Sequence, residues 1–262
     1  MSNWHPYSGK PFDLTGAALE ARWSVMHAGN LEPFPAETGV QDAWRAYHEG
    51  RFEEAVALGT AHGGLGLVPA AFAATIYAHY LEPEEDKKVA IFETAMELAE
   101  RATEACPENA NAFYMLAVSQ GRYSQFISMI EALSKGMAPK IRGAAERCLE
   151  LQPRHAEGHV TLAGWHAEIV DKVGGMLAGL SFGAKKDVAE ELYDQALALA
   201  PNSPVPYIEK AAGLLLMFGE SSRDDAMQLL QRAVTLEPAD AMQTLDIAKA
   251  RKTLADLPNM TF

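Results

Sequence analysis

One short block recurs four times in the chain: a small residue, a turn of helix-forming residues, then proline. The copies are Ala102-Thr-Glu-Ala-Cys-Pro107, Cys148-Leu-Glu-Leu-Gln-Pro153, Ala196-Leu-Ala-Leu-Ala-Pro201 and Ala233-Val-Thr-Leu-Glu-Pro238. Proline lacks a backbone N–H and clashes with the preceding turn, so each block predicts a helix end and a forced reversal of the chain. A new helix start follows each proline: Asn109 before Ala110, Ser203 with Pro204 in the first turn, and Asp240 before Ala241. His155 before Ala156 is the weak member, since histidine is not among the favoured caps. Upstream of the prolines, Ala95, Ala99 and Ala102, then Ala189, Tyr193 and Ala196, then Ala226, Leu230 and Ala233 are spaced as one face of a helix. Downstream, Phe113, Leu116 and Ala117, and likewise Leu162 and Ala163, mark the expected packed face of the next helix. Small residues facing large ones let neighbouring helices approach closely.

Repetition of a helix pair at this scale is the mark of a repeat protein. The residues resemble the tetratricopeptide repeat (TPR): Ala226, Leu230 and Pro238 fit its pattern, as do Phe113, Leu116 and Ala117, and in an earlier copy Gly50, Phe52 and Ala55. The fold class expected is all-α, a TPR-like antiparallel helix-hairpin solenoid or compact helical bundle of about 11 to 13 helices. The resemblance covers residues 40–256, read as an irregular repeat domain. Residues 1–39 are read as an N-terminal capping helix and linker, and 257–262 as a tail. In the capping helix, Thr15 is the expected cap and Leu19, Trp23 and Met26 share one face; Pro33 and Pro35 break the chain between 29 and 39. Ser222-Arg-Asp-Asp225 reads as a capping box before the last helix pair.

The spacing departs from a regular array. The four prolines stand 46, 48 and 37 residues apart, against about 34 in a regular TPR array. The pattern places the two large excesses between the helices of a pair. The first reads as an over-long helix from Phe113 through Ile127 to Leu133, closed by Lys135-Gly136 before Pro139; the second is the apolar, glycine-rich run Val173 to Gly183. Gly175, Gly179 and Gly183 recur every four residues, which would let a helix pack closely, or would simply loosen a surface insertion. Trp165 and the 174–183 insertion are read either as buried within the chain or as a contact with a second copy of it. Together with Ala163-Gly-Trp-His-Ala-Glu-Ile and Tyr207-Ile-Glu, this insertion is similar to the regulator-of-microtubule-dynamics proteins and to the T-components of TRAP transporters. That resemblance implies binding or scaffolding.

Charge limits the partners. With 35 acidic and 22 basic residues the net charge is −13, which opposes phosphate-backbone binding and any other strongly acidic surface, tubulin included. No nucleic acid partner and no cofactor are expected. No run approaches the roughly 18 apolar residues of a membrane span. The N-terminus lacks a basic region followed by an apolar run, and Cys106 and Cys148 form no CxxC pair, so the chain is read as cytoplasmic, without the export signal that a transporter T-component needs.

Catalytic signals are weak, and the chain is read as no enzyme. Gly63-Gly64-Leu-Gly66 lacks the flanking strand and lysine of a phosphate loop and reads as a helix connection. Glu168 beside His166 is a poor acid/base pair, because helix-surface charges usually face water. His155, His159 and His166 fall at about 0°, 40° and 20° on a helical wheel, so a shared face could bind a transition metal. Packed histidines are the reading preferred to that alternative, because no HExxH arrangement is present. The expected functional surface is the concave side of the first helices of the pairs. Family groove positions fall on Asn111, Tyr114, Val118 and Arg122, on Glu157, Val160, Gly164 and Glu168, and on Val205, Ile208 and Ala212. Only Asn111 and Arg122 suit the carboxylate clamp of chaperone-tail-binding TPR domains. The groove, apolar with acidic edges, instead suits a hydrophobic or basic peptide, a helix or a partner protein, or a small apolar ligand.

Overall fold

The computed structural model describes residues 4–260. What the sequence implied for residues 1–3 and 261–262 lies outside the described residues. Among the described residues there is no strand, and thirteen helices have six or more residues.

The proline blocks do what their chemistry dictates. Helices α5 (Glu85–Ala105), α8 (Met137–Leu151) and α11 (Lys186–Leu199) each stop two residues before the proline. The intervening residues Cys106, Gln152 and Ala200 leave helical space alike, with φ of −134°, −138° and −134° and ψ of 65°, 87° and 63°. The next helices, α6 (Ala110–Ser124), α9 (Ala156–Val173), α12 (Pro204–Phe218) and α14 (Ala241–Asp256), each open three residues after the proline. Asn109 caps α6, its Oδ1 accepting from the Ala112 N–H at 3.0 Å. His155 is a genuine cap too: its Nδ1 accepts from the Gly158 N–H at 2.8 Å. The histidine Nδ1 stands as many bonds from Cα as the asparagine Oδ1, so a neutral imidazole reaches the same amide.

The chain divides into two compact units. The first holds residues 1–27, 31–153 and 239–242. Its hairpins are α2 (Thr38–His48) with α3 (Phe52–His62), α4 (Leu67–Tyr80) with α5, and α6 with α8. Gly50 turns between α2 and α3 at φ 82°, a left-handed conformation that favours glycine. The loop at Gly63–Gly66 is a 3₁₀ turn joining α3 to α4, as expected of a helix connection. Helix α1 (Ala18–Met26) buries Leu19, Trp23 and Met26, and Trp23 packs edge-on to Trp44 of α2. Thr15 is not its cap. The Thr15 N–H and hydroxyl bond to Asp13, and the helix opens after Ala17 with no side-chain cap.

The second unit holds residues 28–30, 154–238 and 243–262. It pairs α9 with α11 and α12 with α13 (Arg223–Val234), and α9 also packs on α12. Ala163, Ala189, Tyr193 and Ala196 form one buried cluster; Ala226 and Leu230 join Ala250 and Leu257 in another. All three small-residue stripes expected from the sequence are buried, Ala95, Ala99 and Ala102 included. Trp165 is buried as well.

Three further local expectations are overturned. The over-long helix after Phe113 is broken: α6 ends at Ser124, and a separate short helix α7 (Met129–Ser134) starts at Ser128, whose Oγ accepts from the Glu131 N–H. A serine able to cap has interrupted a periodic apolar pattern. Pro139 then sits inside the first turn of α8, where its missing N–H costs nothing. The Ser222 capping box does not form, because the Ser222 hydroxyl instead donates to the Leu214 and Gly219 carbonyls. On α6 the buried face is Ala112, Met115 and Ala117, with Phe113 and Leu116 only half-buried.

The placement of the excess residues is as expected. Residues 125–136 separate α6 from α8, and residues 174–185 separate α9 from α11. The second insertion is a three-residue turn, α10 (Gly175–Leu177), followed by a π-helical turn, Ala178–Phe182. Its glycines do not mediate close helix packing: a Cβ built on Gly175 would meet nothing within 4 Å, and one on Gly179 only the Ala184 carbonyl at 3.9 Å.

Candidate functional site

Within the first unit the leading helices of successive pairs, α2, α4 and α6, lie side by side. Trp44, Phe72 and Tyr114 mark this row with ring centroids 5.2 and 5.7 Å apart. Beyond Tyr114 the same face of α6 carries Val118 and Arg122, and all three side chains are half-buried. Their spacing of four residues keeps them on one face.

Asn111, the first groove position, is not open. It is buried, and its Nδ2 donates to the Glu32 carboxylate at 2.7 Å, with Asn109 Nδ2 donating to the same carboxylate at 3.1 and 3.3 Å. Glu32 belongs to the connection between α1 and α2, and Trp23 Nε1 donates to its carbonyl at 2.6 Å. Burial raises the Glu32 carboxyl to about 7, against the opposing pull of the hydrogen bonds from Asn111 and Asn109. Burial, with help from the charges of Glu32 and Glu37, also pushes the neighbouring Cys106 thiol up. Sequence reasoning passed over Glu32 because it lies in a proline-broken connection with no periodicity.

In the second unit Glu157 and Val160 are buried. The Glu157 backbone N–H donates to the Gly29 carbonyl at 3.0 Å, and its carboxylate accepts from Asn30 Nδ2 at 3.4 Å. Val160 packs in the cluster around Ala163 and Tyr193. Gly164 lies against the Tyr193 hydroxyl, and Glu168 pairs with Lys172 at 3.2 Å. Val205 and Ile208 are half-buried, Ile208 against the cluster of Ala226 and Leu230, while Ala212 is exposed.

The histidine face does not become a metal site. His155 spends its Nδ1 on the cap, and His166 Nδ1 accepts from the Lys185 N–H at 3.1 Å. Among the described residues no group of three or more His, Cys, Asp or Glu side chains is placed to hold a metal ion. Burial depresses His155 to about 3, so it caps α9 as a neutral ring. His166 and Glu168 bond to different partners, Lys185 and Lys172.

A second buried polar cluster was not legible in the sequence. His48 Nδ1 lies 2.7 Å from Asp240 Oδ2, and His48 Nε2 lies 3.0 Å from His27 Nε2. All three side chains are buried, and Trp44 stacks on His48 while Trp23 covers His27. A His48 tautomer that donates from Nδ1 to the Asp240 carboxyl group leaves its Nε2 lone pair to accept from His27. The chain is thus pinned at Asp240 to α2. Arg22 and Tyr47 reinforce this, donating to the Ala239 carbonyl at 2.7 Å and the Met242 sulfur at 2.9 Å.

No helix among the described residues is long and apolar enough to cross a membrane. No curated protein matches the chain. Residues 69–172 match the family model of regulator of microtubule dynamics protein 1-3. A solved structure of a thermophilic TPR protein from Thermus thermophilus is similar at a TM-score of 0.58 and 18 % identity, covering 85 % of this chain and 98 % of that one. The chain therefore has a TPR-like helical repeat fold and is similar over residues 69–172 to the regulators of microtubule dynamics.

Proposed function

We propose that this chain is a non-enzymatic, cytoplasmic protein-binding scaffold that takes a partner peptide or helix on the leading helices of its repeat pairs. The observation that carries the reading is the half-buried row Tyr114, Val118 and Arg122 on α6, aligned with the Phe72 ring. A folded domain that keeps a valine and a tyrosine at the same helical face only half-buried presents apolar area that a partner can bury. In the second unit Val205, Ile208 and Ala212 on α12 have the same character. The net charge of −13 favours a basic or neutral partner over an acidic one. The TPR-like fold supports a binding role in general.

The test uses Val118→Glu and Ala212→Glu, chosen because neither side chain is fully buried. Each variant is compared with the unaltered protein in affinity capture at matched thermal stability. At least one partner should weaken tenfold or more. If every partner survives both changes, the leading-helix surface is not where binding occurs.

A further inference from the structure

We propose that the two insertions, residues 125–136 and 174–185, are lipid-docking tips, each of which dips an apolar triad into an anionic membrane surface. The inference goes beyond the scaffold reading and holds whether or not a partner binds the leading helices.

Among the described residues eleven large apolar side chains are exposed, and six of them fall in these two short runs. The two sets repeat one spacing: Met129, Ile130 and Leu133 in the first insertion, Met176, Leu177 and Leu180 in the second. All six are more than half exposed. Positions i, i+1 and i+4 lie within an arc of about 100° on a helix, so each triad makes one apolar tip. Each tip also takes the same place in its hairpin, the first between α6 and α8 and the second between α9 and α11. The fold makes no use of them, since neither α7 nor α10 buries a residue. A solitary exposed leucine needs no explanation, but one outward triad repeated in two insertions does.

Local charge points to the occupant. The chain as a whole is acidic, yet from residue 109 to 145 Glu131 is the one acid against Arg122, Lys135, Lys140 and Arg142. Residues 172–186 hold Lys172, Lys185 and Lys186 and no acid at all. Charges more than about 8 Å apart are largely screened at physiological salt, so a surface touching a tip meets these cations rather than the average of the chain. Lys135 pairs with Glu131 at 3.4 Å, Lys172 pairs with Glu168 at 3.2 Å, and Lys186 donates to the Met217 carbonyl. Lys140 and Lys185, a few residues past the two triads, are exposed. A lysine close to an apolar tip suits the bilayer boundary: the apolar groups enter the acyl region while the ammonium meets lipid phosphate or carboxylate.

Composition argues against a protein in this place. The anchors of protein interfaces are enriched in Trp, Tyr and Arg, with Leu under-represented. These tips present Met, Ile and Leu, and the aromatic rings beside them, Phe126 and Phe182, are half-buried. A second copy of the chain meeting tip to tip would also set like cations against one another.

Flotation with vesicles tests the proposal in the full chain, using phosphatidylcholine alone and phosphatidylcholine mixed with phosphatidylserine. The unaltered protein should float with the mixed vesicles, at least about tenfold less with the neutral ones, and less again as salt is raised. Ile130→Ser and Leu180→Ser should each weaken partitioning roughly tenfold, and the double variant more. Lys140→Glu with Lys185→Glu, which leaves both triads intact, should weaken binding to the mixed vesicles alone. All variants are compared at matched thermal stability. Failure to float with mixed vesicles, equal flotation with both kinds, or unchanged binding of the double serine variant overturns the proposal. Sedimentation without lipid covers the other occupant: an oligomer of the unaltered chain that the serine variants dissolve would make the tips an interface between copies, and the proposal falls.

Discussion

His48 Nδ1 and Asp240 Oδ2 meet at 2.7 Å with both side chains almost wholly shielded from water. They lie 192 residues apart in the chain, so nothing local in the sequence announces the contact. Because the carboxylate also fixes the His48 tautomer, it determines which way the bond to His27 runs.

Removing that carboxylate isolates a buried donor. Asp240→Ala should lower stability by about 2–3 kcal/mol, the usual cost of leaving a buried polar group without its partner. Asp240→Asn should lose less, because its oxygen still accepts from His48. Urea midpoints at pH 7 measure both. Equal losses would mean that charge on Asp240, not its acceptor oxygen, is what the site requires.

His155 sets the acid limb of stability. Its folded value near 3 is depressed from 6.5, so its contribution is fully present above pH 6.5 and is lost as pH falls towards 3. The slope has an upper bound of about 1.4 kcal/mol per pH unit. Glu32 acts in the opposite sense between about 7 and 4.5, since its raised value adds stability as pH falls. The two partly cancel in the unaltered protein, and single variants separate them. His155→Asn keeps a good helix cap without a group to protonate, so its urea midpoint should fall less steeply below pH 6. An unchanged slope would show that His155 is already exposed to protons in the folded chain.

The insertions at residues 125–136 and 174–185 each bear large apolar side chains outward. Ile130 and Leu180 are each 81 % exposed, and α7 buries no residue at all. Ile130→Ser and Leu180→Ser should therefore shift stability by less than about 0.5 kcal/mol, the range of ordinary surface changes. Thermal melts check this. A loss above about 1 kcal/mol would place these residues in contacts that the fold does not show.

Four prolines made the fold legible, because a residue without an N–H leaves few choices about where a helix ends. The stripes of Ala95, Ala189 and Ala226 were legible for a related reason: periodicity survives in sequence whatever packs against it. The covering of Asn111 and Glu157 was not legible. Both are held by residues 29–32, and nothing local in a proline-broken connection tells which distant helix start it will meet. The His27, His48 and Asp240 cluster was hidden for the same reason, since its members come from three separate parts of the chain. Helix capping by His155 was misjudged by residue type, where the reach of Nδ1 decided the matter.

Two glycines give the last test, because helix propensity and packing pull them apart. Gly143 lies exposed on α8 with open space where a Cβ would stand, so Gly143→Ala should gain about 0.5–1 kcal/mol from reduced backbone freedom in the unfolded chain. Gly213 lies buried in α12, and a Cβ there would sit only 2.6 Å from Tyr193 ring carbons. Tyr193 is itself buried in a cluster with Ala189, Ala196, Leu214 and Met217, so a shift of its ring would disturb that packing. Gly213→Ala should therefore lose about 1–3 kcal/mol to overpacking despite the same propensity gain. Opposite shifts of the urea midpoint are expected. If both variants stabilise the protein, α12 stands further from Tyr193 than this packing requires, and the close approach of α11 to α12 is wrong.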